Sequence, residues 1–135
     1  MYRERMETLK EWKVSKNRKP LIIRGARQVG KTWLMKEFGK LYYEKCAYIN
    51  FDNNSRMDIL FNEEFDLDRI IQGLKIESGI NIEPENTLII FDEIQETPKA
   101  LKTLKYFYEN ANEYHIVAAG SLLGVAMHQG TSFPV

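Results

Sequence analysis

The sequence predicts an α/β fold with a parallel sheet, and three features carry that prediction. Short apolar runs alternate with stretches of helical periodicity along the chain. A glycine-rich loop stands between the first apolar run and the helix that follows it. A later run, TLIIF over residues 87–91, is apolar on both faces, which suits a central strand covered on both sides.

Each element has its own signature. Residues 3–15 read as a helix with Met6, Leu9 and Trp12 at threefold spacing among charges, and residues 17–20 break it. Leu21–Ile23 is a short strand running into the glycine loop. A helix follows from Lys31, with Leu34, Phe38 and Leu41 at i, i+4 and i+7. The second strand is CAYINF, residues 46–51, and a polar turn leads from it into helical segments over residues 55–78. The clearest of these starts at Asp66 as N-cap and sets Leu67, Ile70, Ile71 and Leu74 on one stripe.

Residues 84–86 punctuate the chain before the third strand, residues 87–91. Thr97-Pro98 opens another helix, with Thr97 as cap, Leu101, Leu104, Tyr108 and Ala111 inward, and Lys99, Lys102 and Lys105 outward. A fourth strand, His115–Ala119, ends at Gly120-Ser121. The chain contains no internal repeat and no low-complexity tract.

Composition narrows the class further. At 135 residues with 44% hydrophobic content, the chain is sized for one domain with a buried core. The single cysteine, Cys46, cannot form an internal disulfide and reads as a small buried residue; with no N-terminal signal pattern, the expected location is a reducing cytoplasm. No apolar run approaches a membrane span, so no membrane association is expected. Net charge is zero but uneven, +8 over residues 1–40 and −8 over residues 41–135. The basic third, including Lys10, Lys13, Lys16, Arg18 and Lys19, reads first as a solvated helix face, with a polyanion such as nucleic acid as a minor alternative.

The chemistry concentrates in two places. Gly25, Ala26, Arg27, Gln28, Val29, Gly30, Lys31 and Thr32 fit the phosphate-binding pattern of Gly, four residues, Gly-Lys-Thr. Glycines let backbone N–H groups point inward without Cβ clashes, and the next helix aims its positive end at the same spot, so the concavity attracts phosphate. Nucleotide binding is accordingly expected over residues 25–33, through Trp33, with Lys31 reaching the β- and γ-phosphates and Thr32 ligating Mg²⁺. The second place is LIIFDEIQ, residues 88–95, whose strand delivers Asp92 and Glu93 to its carboxyl end, where open α/β sheets place ligands. Asp92 is the expected Mg²⁺ partner, and Glu93 the group that takes a proton from an attacking water.

Other strand ends add candidates. Ser121 follows HIVAA and could approach the γ-phosphate or the attacking water if that strand lies between the other two; the alternative is a turn serine capping the next helix. Asn50 could hydrogen-bond Glu93 and hold it away from water, or be an ordinary strand-end asparagine. Arg27 stands close enough to the loop to assist charge neutralisation, yet loop tips often carry solvated arginines, and it stays outside the catalytic set. His115 and His128 have no His or Cys neighbours at metal-ligand spacing, so a zinc site is not expected.

The runs RKPLIIRGARQVGKT, YINFD, LIIFDEIQ and AAGSLLGVA together resemble the N-terminal ATPase part of a prokaryotic family of AAA-type P-loop ATPases that carry a C-terminal domain of unknown function. The resemblance spans nearly all of the chain. It implies a P-loop NTPase-like sheet of the additional-strand, AAA type, with the loop strand beside the Ser121 strand. ATP and Mg²⁺ are the implied ligands, with Walker A and B roles for Lys31, Thr32, Asp92 and Glu93 and a sensor role for Ser121. Family members continue through a further strand, a lid and the second domain, so residues 1–135 read as an AAA-type ATPase domain truncated after its fourth strand. No arginine finger or second sensor can be assigned. Self-association through the edge of the first strand, or an unknown protein partner, is then expected.

The leading functional expectation is an ATPase module that hydrolyses ATP with Mg²⁺ to drive or gate a conformational change. The alternatives are a non-hydrolysing nucleotide switch or inactive fragment and, less favoured, a small-molecule kinase, which normally needs an arginine-rich lid absent here.

Overall fold

The computed structural model describes residues 2–23 and 29–120. Loop residues Arg24, Gly25, Ala26, Arg27 and Gln28 lie outside the described residues, as do Ser121, His128 and the rest of residues 121–135. The elements run α1 (Tyr2–Val14), β1 (Leu21–Ile23), α2 (Val29–Tyr42), β2 (Lys45–Asn50), α3 (Ser55–Asn62), α4 (Leu67–Ser78), β3 (Thr87–Asp92), a short 3₁₀ turn (Ile94–Glu96), α5 (Pro98–Asn110) and β4 (His115–Ala119). The described strands form one four-stranded, all-parallel sheet in the order β1-β4-β3-β2, so β4 does lie between β1 and β3.

Alternation along the central strands divides the core in two. Leu88 and Ile90 of β3, with Val117 and Ala119 of β4 and Leu21 of β1, pack against Met6 and Leu9 of α1 and Leu34, Met35 and Phe38 of α2. Ile89, Phe91, Ile116, Ala118 and Ile22 point the other way, onto α3, α4 and α5. Every residue of β3 is buried, as expected of a strand covered on both faces. Among the described residues, two helices therefore cover one face of the sheet and three the other.

Local signals behave largely as physics requires. Asp66 caps α4 by accepting the N–H of Arg69, and the helix ends at Gly79, whose φ of 73° lets its N–H reach Lys75 O. Gly39 is required for a different reason: a Cβ there would sit 2.8 Å from Cys46 Sγ, so glycine is what lets α2 lie this close to β2. The burial that this approach produces pushes the Cys46 thiol up to about 11.

Several expectations need correction. On α2 the inward face is Leu34, Met35 and Phe38, with Tyr42 partly buried, whereas Leu41 is 52% exposed because its direction falls off the centre of that face. Strand β2 starts one residue earlier than expected and ends at Asn50, since Lys45 pairs with Thr87 and Asn50 with Asp92. Phe107 rather than Tyr108 is the fully buried aromatic of α5. Thr97 occupies the N-cap position of α5 without capping it; its hydroxyl instead donates to Asp58 Oδ1 at 2.6 Å, tying α5 to α3. The 3₁₀ turn was not foreseen, and it follows from Glu93 adopting a left-handed backbone, φ 55° and ψ 43°.

At the amino-terminal end of the sheet the basic segment is drawn into the fold. Lys10, Lys13 and Lys19 lie over the rings of Tyr42, Tyr43 and Tyr108, at 5.5, 4.6 and 5.5 Å from the centroids. The Arg18 guanidinium donates to Asn112 O, and Asn112 Nδ2 returns a bond to Arg18 O at 2.8 Å. Beneath them His115 is buried, shares a 2.6 Å hydrogen bond with Tyr43 Oη and meets the edge of Trp12.

Burial, reinforced by Arg18 and Lys13, depresses the His115 pKa from 6.5 to about 4. The unfolded chain therefore binds a proton that the native state refuses between those values, so stability is full above about 6.5 and falls as pH drops toward 4. Urea unfolding measured across this range is expected to show a loss of roughly 2–3 kcal/mol that His115→Gln removes from the pH slope.

Candidate nucleotide site

The parallel register sets the carboxyl ends of the strands in one row. Ile23 is level with Ala119, Ala119 with Asp92, and Asp92 with Asn50. The glycine loop leaves from Ile23, Ser121 comes two positions after Ala119, and Glu93 follows Asp92. Strand pairing thus brings the attachment points of every sequence-predicted group to one edge of the sheet.

Over this edge α2 begins. Its first turn carries Gly30, Lys31, Thr32 and Trp33. Lys31 is buried, 7% exposed, while Trp33 is 52% exposed. A Cβ built on Gly30 meets no described atom within 4 Å. Packing against the described residues therefore gives no reason for glycine at this position, which lies in the first turn of α2.

Thr32 connects this helix end to the acidic strand. Its Oγ1 donates to Asp92 Oδ2 at 2.7 Å, across sixty positions of sequence. The same oxygen accepts Tyr48 Oη at 2.7 Å, and Asp92 Oδ1 accepts the N–H of Glu93 at 3.0 Å. Asp92 is 5% exposed, and a carboxylate so buried needs such donors to offset its lost hydration. The Tyr48 phenol is pushed up by burial and further by its hydrogen bond to Asp92, so it stays protonated and donates at neutral pH.

Tyr48 is the residue that sequence reasoning missed. Its signal lay in the alternation of β2: Ala47 and Ile49 are buried on the α4 side, which turns Cys46 and Tyr48 toward α2. A tyrosine on that side, two positions before a strand end level with Asp92, has the reach to meet the carboxylate.

Glu93 and Asn50 occupy the expected edge with other partners. Glu93 Oε1 accepts Gln95 Nε2 at 2.9 Å, and the left-handed backbone at Glu93 is the strained geometry that often marks functional positions. Asn50 is exposed; its Oδ1 accepts the N–H of Asp52 at 2.8 Å and its carbonyl accepts Asn54 Nδ2 at 2.8 Å, so it closes the turn into α3. Gln95 Oε1 is buried with no hydrogen-bond partner among the described residues.

With fold and site in place, comparison with known proteins assigns the class. A family described as an AAA domain matches residues 17–135, and the chain belongs to that family. Family and fold together define an AAA domain built on a P-loop NTPase-like parallel α/β sheet. Among solved structures it is similar to the structure of C. elegans PCH-2, at a TM-score of 0.56 and 18% identity, over 98% of this chain and 41% of that one. The chain thus spans about two fifths of the length of that protein, and the likeness concerns the fold. No curated protein matches the sequence.

Because Asp92 gathers donors from α2, β2 and its own successor, Asp92→Ala should destabilise the ligand-free protein. A loss of roughly 1–3 kcal/mol in urea unfolding is expected, the scale for leaving buried donors unpaired.

Proposed function

We propose that this chain binds ATP with Mg²⁺ at the carboxyl edge of the sheet and hydrolyses it, driving or gating a conformational change in attached or partner parts. The observation that carries this reading is the Thr32–Asp92 hydrogen bond, which joins the end of the phosphate-loop pattern to the acidic end of a central strand. In this reading residues 1–135 are an ATPase domain, and α1, which precedes the family match, is packed into it through Met6 and Leu9.

The residues divide the work by chemistry. The loop from Gly25 to Gly30, the start of α2 and the Lys31 ammonium would bind the phosphates. Thr32 and Asp92 would hold the cation: a hydroxyl and a carboxylate oxygen in contact are hard donors of the kind Mg²⁺ takes alongside water and phosphate. When bound, Mg²⁺ supplies neutralisation of phosphate charge. Glu93 would accept the proton of the attacking water. Release from Gln95 would free its Oε1 for that task. Ser121 retains its proposed sensor role next to the γ-phosphate, and Asn50 a proposed restraint on Glu93.

Two variants test the assignment. Lys31→Ala is expected to abolish most binding of a fluorescent ATP analogue in a titration, and unchanged affinity would remove this loop from the site. Glu93→Gln should retain binding while phosphate release falls by roughly 10²-fold. Equal turnover by wild type and the Glu93 variant would remove the glutamate from the chemistry, and absence of wild-type turnover with intact binding would favour the non-hydrolysing switch.

A further inference from the structure

Asp92 has unusually full company for a residue meant to serve a cation. A carboxylate offers about four acceptor positions over two oxygens. Oδ2 accepts both Thr32 Oγ1 and Tyr48 Oη at 2.7 Å, and Oδ1 accepts Glu93 N–H at 3.0 Å. Among the described residues, both positions on Oδ2 are therefore filled by protein hydroxyls, and Oδ1 accepts one backbone N–H.

Tyr48 belongs neither to the phosphate loop nor to the acidic strand, and it is held from both sides. Its strand pairs with β3 so that Tyr48 is level with Ile90, two positions before Asp92. From α2, Lys36 places its ammonium 4.1 Å from the centroid of the Tyr48 ring. Thr32 and Lys36 are one helical turn apart, so a single face of α2 supplies both the hydroxyl beside Tyr48 Oη and the cation over its ring.

We propose that Tyr48 is a positioning residue of the divalent-cation site: it holds the Asp92 carboxylate in one orientation, with Oδ2 committed to two protein hydroxyls, and so favours Mg²⁺ over larger cations. The inference rests on the site reading given above. Mg²⁺ demands near-octahedral geometry and keeps several waters, which suits a carboxylate fixed in one orientation. Ca²⁺ takes carboxylates in one- or two-oxygen modes and tolerates variable geometry, which suits a carboxylate free to turn. Without the Tyr48 hydroxyl, Oδ2 keeps one donor and the carboxylate gains that freedom.

Tyr48→Phe isolates the hydroxyl, because it preserves the ring and its contact with Lys36. The full chain, wild type and variant, is titrated with Mg²⁺ and separately with Ca²⁺ in the presence of a fluorescent ATP analogue, with a third arm in EDTA. The Mg²⁺ concentration for half-maximal nucleotide binding is expected to rise roughly 10-fold in the variant, the scale of losing one hydrogen bond to a charged group, with less than a twofold change for Ca²⁺ and none in EDTA. An equal shift for both cations, no shift for either, or a shift already present in EDTA would overturn the role of Tyr48, as would a variant that no longer unfolds cooperatively. A wild-type chain that binds nucleotide without any cation dependence would instead overturn the cation site itself.

Discussion

Parallel pairing in one register is the constraint on which the molecule depends. Because β3 is paired on both edges and buried on both faces, it cannot slip by one residue without turning Ile89 and Phe91 out of one core and Leu88 and Ile90 out of the other. That fixed register holds Asp92 level with Ala119 and Asn50, and Ala119 level with Ile23. A chemical edge is thereby assembled from residues distant in sequence, and it is as rigid as the core that sets it.

The hydrogen bonds of Asp92 translate this rigidity into a preformed site. A buried carboxylate is stable only when donors replace water, and here the donors come from α2, β2 and the turn after β3. The first turn of α2 is consequently fixed to the sheet by a charge-assisted bond as well as by apolar packing of Leu34, Met35 and Phe38. The left-handed Glu93 then turns the chain sharply into the 3₁₀ helix, and Thr97 anchors the next helix on Asp58.

The two ends of the sheet are built from opposite electrostatics. At the carboxyl end Asp92 accepts Thr32 Oγ1 from the first turn of α2, the positive end of that helix. At the amino end, lysines cover tyrosine rings and Arg18 bonds to Asn112, above a histidine kept neutral by burial. These contacts seat Lys10, Lys13 and Lys19 on aromatic faces, while Lys16 between them stays exposed.

By itself the sequence determined the order and kind of the elements, because each rests on local chemistry: the Asp66 cap, the two-sided apolar run of β3 and the phosphate-loop spacing are all written within a few residues. It also placed Thr32 and Asp92 in one site, since a strand-end aspartate downstream of such a loop has few other uses. Direction within a helix was less legible: Leu41 and Met35 are both apolar, and only the position of the sheet decides which is buried. The tertiary structure alone decided that Tyr48 shares the Asp92 oxygen, that Gln95 binds Glu93, and that Thr97 bonds to Asp58 instead of capping its own helix. The physical reason is the same in each case. A hydroxyl or amide has several acceptable partners nearby, and the winner is set by distances that exist only once strands from separate parts of the chain have paired.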